Sequence, residues 1–323
     1  VKRDGWVRPA VGWLGVAATL GMFLVLVMGA TVTTTGSAEG CGRDWPLCHG
    51  RFIPDFALAT AIEFSHRAVT GVEGILILAL TVAVLALFRE QRPVWLLAPL
   101  MLGSLLLQAG MGAWAVKYPQ QPVVLALHFG ISLIALASVA LTTVYIWRQG
   151  EMRSGPPLWG GLRLATWGVT AYLYLLVYSG AYIRHAGAAG ACAGWPACPS
   201  GGSWTGVAVN LAHRGAALAA LLLALALLIA YRRLEPDRRD LSTGACLLIG
   251  MLLLQGAAGA FLVLSRYSLS GELLHAALTG VVFTSAAFLC LAVSLAAPRG
   301  ESALPPRRRP RLRAEGVPPS SPL

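Results

Sequence analysis

Residues 61–88 read AIEFSHRAVTGVEGILILALTVAVLALF. At 1.5 Å rise per residue, a helix of this length crosses the roughly 30 Å hydrocarbon core of a bilayer. Its ionisable residues, Glu63, His66, Arg67 and Glu73, all fall in the first half of the stretch. Imidazole and carboxylate are costly in hydrocarbon unless partnered, so intramembrane His and Glu are candidate functional residues by default.

Working outward, the pattern recurs. His66 and His128 are 62 residues apart, as are His213 and His275, and the second pair follows the first by 147 residues. His66-Arg67 returns as His213-Arg214, and Gly103, Gln108 and Gly112 return as Gly250, Gln255 and Gly259. Trp45-Pro46-Leu47-Cys48 returns as Trp195-Pro196-Ala197-Cys198. An ordered series at a nearly constant offset implies internal duplication.

Composition places the whole chain in the membrane. Of its 323 residues 56% are hydrophobic and 12% charged, against about 25% charged in a soluble domain. Eight apolar runs long enough to span stand at about 11–30, 61–88, 94–116, 123–147, 164–183, 206–231, 243–264 and 271–296. The first reads as a retained span rather than a cleaved signal peptide. Four spans per half is an even number, so both halves enter from the same side. The expected fold is an all-α integral membrane protein of eight transmembrane helices in two four-helix bundles, related by a pseudo-twofold axis along the membrane normal. The expected divisions are 1–150 for the first bundle, 151–163 for a cytoplasmic linker, 164–297 for the second bundle and 298–323 for a disordered, basic cytoplasmic tail.

The net charge of +11 is not a nucleic-acid footprint. With the N-terminus in the cytoplasm, 18 of the 25 Lys and Arg fall in cytoplasmic segments, which is the positive-inside bias. Both termini are then cytoplasmic and the Cys-bearing loops lie outside. There disulfides persist, and Cys41–Cys48 and Cys192–Cys198 are the expected pairs. Cys246 and Cys290 fall within spans and read as inert, buried packing.

The four intramembrane histidines lie at one shallow level near the outer ends of spans 2, 4, 6 and 8. Two level imidazoles on neighbouring helices suit a heme iron, one axial nitrogen on each side. Histidines that merely pack helices together are the plain alternative. A bare transition metal fits less well, because two His without carboxylate or thiolate leave it under-coordinated. Arg67 and Arg214 are placed either to meet heme propionates or to snorkel to lipid phosphate.

The halves differ at one informative place. Glu63 stands three residues before His66, whereas Asn210 stands before His213. A carboxylate can move protons and an amide cannot, so the first half reads as the reactive one. The competing reading makes Glu63 a cap of span 2. Glu73, two turns deeper, reads as a protonated group or part of a proton path. His49 and His185 read as solvated, with a place lining the mouth of the second site as the alternative for His185.

These residues together resemble the heme A synthase family of bacterial type. The likeness is carried by Gly29-Ala30 through Thr35-Gly36-Ser37, by Cys41, by Trp45-Pro46-Leu47-Cys48-His49-Gly50 and by Glu63-x-x-His66-Arg67. In the second half it is carried by Gly180-Ala181-Tyr182-Ile183-Arg184-His185, Cys192, Trp195-Pro196, Cys198, His213-Arg214 and His275. The resemblance implies an oxidoreductase of the bacterial inner membrane that converts a ring methyl of heme O to a formyl group. The product, heme A, serves aa3-type terminal oxidases. The resemblance further implies substrate heme O at His66 and His128, resident heme b at His213 and His275, activity dependent on Glu63, and disulfides in the outer loops. Expected partners are membrane lipid, heme O from a heme O synthase, and an electron donor for which the chain shows no flavin or nicotinamide fingerprint. A homo-oligomer is compatible with the sequence. The competing function is a di-heme b-type cytochrome that only relays electrons; a transporter is disfavoured because every proposed ligand lies near one face.

Overall fold

A computed structural model describes residues 4–55, 57–118, 121–148, 158–198 and 202–296. The proposed tail at 298–323 and most of the proposed linker lie outside these residues. Eight long helices account for nearly all of what is described: α1 (Asp4–Thr34), α2 (Leu58–Phe88), α3 (Val94–Lys117), α4 (Pro122–Arg148), α5 (Gly160–His185), α6 (Trp204–Leu234), α7 (Arg239–Leu264) and α8 (Leu269–Ser294). The first seven each contain one expected span and extend it at one or both ends; α8 begins two residues before the expected 271–296 and ends two residues short of it. α5 begins at Gly160, inside the segment expected to be linker.

Seven of these helices are long and apolar enough to cross a membrane; α5 is the one that falls short on composition. Arg163, Arg184 and His185 near its ends, together with Tyr172, Tyr174 and Tyr178, dilute its apolar character. It nevertheless packs as a full bundle member against α4, α6 and α8.

In a bilayer only closed backbone hydrogen bonding is tolerated, which is why apolar runs of this length become helices. Their starts carry local signals. Ser203 and Ser268 cap α6 and α8, each accepting a hydrogen bond from a backbone N–H three residues on, Gly206 and Gly271, at 3.2 Å. Pro122 opens α4, where its missing N–H costs nothing.

Side chains sort by partner. Ala18, Met22, Ile77, Leu80, Met101 and Leu133 fill the first core. Ala220, Ala224, Tyr231, Leu241, Leu248 and Leu289 fill the second. Leu20, Ile75, Leu78, Leu106, Leu222 and Leu254 face outward, as lipid-facing residues do.

The helix contacts follow the duplication. α1 touches α2 and α4, and α3 touches α2 and α4; α5 to α8 repeat the same ring. Between the rings, α1 meets α8, α5 meets α4, and α4 meets α8. Under a twofold exchanging α1 with α5 and α4 with α8, the first two contacts interchange and the third maps onto itself. Small residues allow these crossings. A Cβ on Gly130 would lie 2.4 Å from the Tyr178 hydroxyl, and one on Gly280 would lie 2.9 Å from Leu26.

Two longer connections, between α1 and α2 and between α5 and α6, lie at the same end of the molecule. They carry the disulfides Cys41–Cys48 and Cys192–Cys198. At the opposite end Arg8 donates to the carbonyls of Ile146 (2.9 Å) and Trp147 (3.0 Å) at the close of α4. Arg163 likewise donates to Ala296 just beyond α8 (2.8 Å). Cations there satisfy the carbonyls that a helix C-terminus leaves open. One expectation is corrected: Cys290 is buried, but Cys246 is exposed, with the Arg232 guanidinium 3.5 Å from its sulfur. Position inside a span does not by itself decide which way a side chain faces.

Candidate functional site

His66, His128, His213 and His275 lie six to nine residues past the starts of α2, α4, α6 and α8, roughly 9–14 Å along each helix. All four are therefore at the loop end of the bundles and at similar depth. Within each half the two rings are close enough to interact electrostatically, His66 with His128 and His213 with His275.

Each ring rests on a glycine of the preceding helix. A Cβ would lie 3.4 Å from His66 Cε1 at Gly29, 3.5 Å from His128 Cε1 at Gly112, 2.9 Å from His213 Cε1 at Gly180 and 3.3 Å from His275 Cε1 at Gly259. At Gly180 and Gly259 a side chain would crowd the imidazole edge; at Gly29 and Gly112 it would make an ordinary contact. The repeat at Gly112 and Gly259 is visible in the sequence; its purpose appears only when helices are side by side.

The two pairs are held differently. Ser179 Oγ donates to Leu176 O (2.7 Å) and lies 2.7 Å from His213 Nδ1. When that proton is on Leu176 O, the hydroxyl accepts from Nδ1–H and leaves His213 Nε2 with a free lone pair. This tautomer can ligate a metal, and such an outer partner both fixes the ring and raises its basicity. Gln255 Nε2 lies 3.2–3.3 Å from both ring nitrogens of His275 and donates to Thr279 Oγ1 (2.8 Å). In the first half Met28 stands at the place of Ser179, and the Nδ1 atoms of His66 and His128 are buried without a hydrogen-bond partner, as is Gln108 Oε1. Two half-buried imidazoles per bundle at similar depth, with Nδ1 atoms unpartnered in the first half and beside Ser179 and Gln255 in the second, are a donor set that fits bis-histidine ligation of a heme iron. Among the described residues no cluster of three or more His, Cys, Asp or Glu offers a site for a bare metal.

Glu63 is buried, 3% exposed. Its Oε2 accepts from the backbone N–H of Cys41 (2.8 Å) and its Oε1 from Arg67 Nη2 (2.5 Å). It does not cap α2, whose N-cap is Ala57 with no side-chain bond, so the capping alternative is excluded. Arg67 also donates through Nη1 to Asp44 O (2.7 Å) and Leu47 O (2.6 Å). Thr60 Oγ1 donates to Gly40 O (2.7 Å). Thr60, Glu63 and Arg67 thus form one stripe of α2 that clasps the first disulfide loop. Arg214 repeats the clasp, donating to Gly194 O (2.9 Å) and Pro196 O (2.8 Å), with its guanidinium 5.2 Å from the Trp195 ring centroid. Its Nη2 remains buried and unpartnered. Asn210, in the place of Glu63, donates to Ala188 O (2.9 Å) and to Gly206 O (2.8 Å).

A groove of about 250 Å³ reaches His213 between α5 and α6, lined also by Ser179, Tyr182, Ile183, Val209, Ala212 and Ala216. His185 closes α5 three residues after Tyr182, which lines this groove. His49 is exposed, and its Nε2 lies 2.9 Å from Gly40 O. Glu73 is 2% exposed with both oxygens unpartnered, packed against Gly21 of α1.

The profile of the COX15-CtaA family, described as cytochrome oxidase assembly protein, matches residues 54–287. The chain belongs to this family. It is 40% identical over 274 residues to a heme A synthase of Exiguobacterium sibiricum, covering 84% of this chain and 91% of that protein. It is 39% identical over 290 residues to a heme A synthase of Symbiobacterium thermophilum (86% and 93%) and 35% identical over 294 residues to one of Bacillus licheniformis (89% and 97%). The matched span of the family profile runs from the end of the first disulfide loop into α8 and includes Glu63 and all four site histidines.

Sequence reasoning placed Glu63 and the histidines but missed Ser179, whose partner is 34 residues away. It also missed the loop-clasping role of Arg67 and Arg214. A hydroxyl at 179 against Met28 in the other half was the available signal.

Proposed function

We propose that this chain is a heme A synthase, an oxidoreductase that converts a ring methyl of heme O to a formyl group, with heme O held by His66 and His128 and a resident heme b held by His213 and His275. Family membership supports the reaction. The division of labour rests chiefly on one observation, the unequal hydrogen bonding of the two histidine pairs. A ring fixed by Ser179 is built to retain its ligand; rings with open Nδ1 atoms suit a substrate that must arrive and leave. When bound, the resident heme supplies one-electron chemistry of the kind that oxidising a strong C–H bond requires.

The chain's own residues do the rest. His66 and His128 would hold the substrate by its iron, near the loop end of the first bundle. Glu63 supplies a carboxylate beside the substrate pair for proton transfer. Arg67 keeps it in place through Oε1, and the Cys41 N–H does so through Oε2. Arg214 Nη2 is a buried donor available to an anionic group such as a heme propionate. The orientation follows the basic residues: both termini in the cytoplasm of a bacterial cell, and both disulfide loops outside. Heme O is delivered by the enzyme that makes it, within the same membrane.

A di-heme electron relay would use the same four histidines but gives no role to Glu63, buried one turn from His66 where the second half has Asn210. The deciding experiment is heme extraction after expression with a source of heme O. Wild type yields heme A; Glu63→Gln yields none while retaining the resident heme. Normal heme A production by Glu63→Gln would refute the assignment of chemistry to the first half.

A further inference from the structure

Arg184 belongs to the second bundle, yet three of its partners are in the first. Its Nη2 donates to Ala30 O (3.3 Å), Thr33 Oγ1 (3.1 Å) and Thr34 Oγ1, all in the last two turns of α1. Its Nε lies 3.2 Å from Glu272 Oε2 in the first turn of α8. Both side chains are largely enclosed, 24% and 13% exposed.

This bridge lies between the two candidate iron sites. Ala30 adjoins Gly29, on which the His66 ring rests. Glu272 precedes His275 by three residues, which puts the two on one face of α8 a turn apart. The charge of Arg184 reaches His275. Under the pseudo-twofold the counterparts of Arg184 and Glu272 are Thr33 and Leu125. The ion pair was therefore not inherited by both halves; it exists beside the second pair alone.

We infer that Arg184 and Glu272 are positioning residues that lock the outer end of α1 to α8 and set the reduction potential of the iron held between His213 and His275. The inference rests on the proposed heme at that pair. In an enclosed, weakly polarisable setting a nearby cation stabilises the reduced iron and a nearby anion the oxidised iron. Each partner masks the other, so removing either one exposes the field of the one that remains.

The test is a redox titration of the resident heme's absorption in the purified holoenzyme. Arg184→Gln is expected to lower the midpoint potential and Glu272→Gln to raise it, each by about a tenfold change in the one-electron equilibrium, or about 59 mV. Arg184→Lys, which keeps the charge, stays close to wild type. Displacements in the same direction, or none, indicate a packing role alone and overturn the inference. If Arg184→Gln does not retain heme, Glu272→Gln decides by itself: a rise supports the inference, and a fall or no change overturns it. Failure of the underlying heme assignment is seen separately, as a resident heme spectrum that survives His275→Ala.

Discussion

Glu63 Oε2 accepts a hydrogen bond from the Cys41 N–H at 2.8 Å, so the carboxylate proposed for chemistry is also the post to which the first disulfide loop is tied. Loosening the loop should therefore disturb the carboxylate. Closing a loop of seven residues' separation is worth about 2–3 kcal/mol in the chain-entropy account. Replacing Cys41 and Cys48 together by Ser is expected to reduce heme A formation several-fold while leaving the resident heme spectrum intact. Heme analysis and absorption of the same preparation check both halves of the statement. Equal loss of the two signals would mean that the loop supports the whole fold instead.

Ser179 should matter to the second pair and have no equivalent in the first. Ser179→Ala removes the acceptor that fixes the His213 tautomer. An outer partner of a metal-ligating His is typically worth about 10–100-fold in affinity. The expected result is substoichiometric resident heme in purified protein, restored by adding heme to saturation. Full occupancy at limiting heme would rule out this role.

The glycines behind the rings make a contrasting pair. A Cβ at Gly180 would approach His213 Cε1 to 2.9 Å and must displace it, whereas one at Gly29 meets His66 at an ordinary 3.4 Å. Gly180→Ala is expected to shift or abolish the resident heme spectrum. Gly29→Ala is expected to leave heme A production within about twofold, since an ordinary van der Waals contact forces no rearrangement. Side-by-side absorption spectra and product analysis distinguish the two.

Glu73 is buried among apolar neighbours with neither oxygen bonded. An unsatisfied buried polar group costs about 1–3 kcal/mol. The second half has Ala220 at this place, and Tyr172 where the first half has Gly21. Tyr172 spends its hydroxyl on Ala216 O (2.9 Å). Glu73→Met is expected to raise the thermal unfolding midpoint in detergent. A lowered midpoint would reveal a stabilising partner for the carboxyl; unchanged stability with lost turnover would assign it to the reaction.

The sequence alone determined that the chain is a duplicated helical membrane protein, and by spacing and depth it singled out His66, His128, His213 and His275 as candidate ligands. Hydropathy and a constant offset can be read along the chain; the bilayer enforces the first directly, and duplication leaves the second. It also singled out Glu63 against Asn210, because a repeat exposes its own differences. What it did not carry is which way each side chain turns and what it meets there. Arg67 and Arg214 turn back onto their loops, Cys246 faces outward, Ser179 finds His213, and Arg184 crosses to α1. Those outcomes depend on how each helix is rotated and how the two bundles are docked. Only the tertiary structure decides them, because the partners come from helices that are neighbours in space and not in the chain.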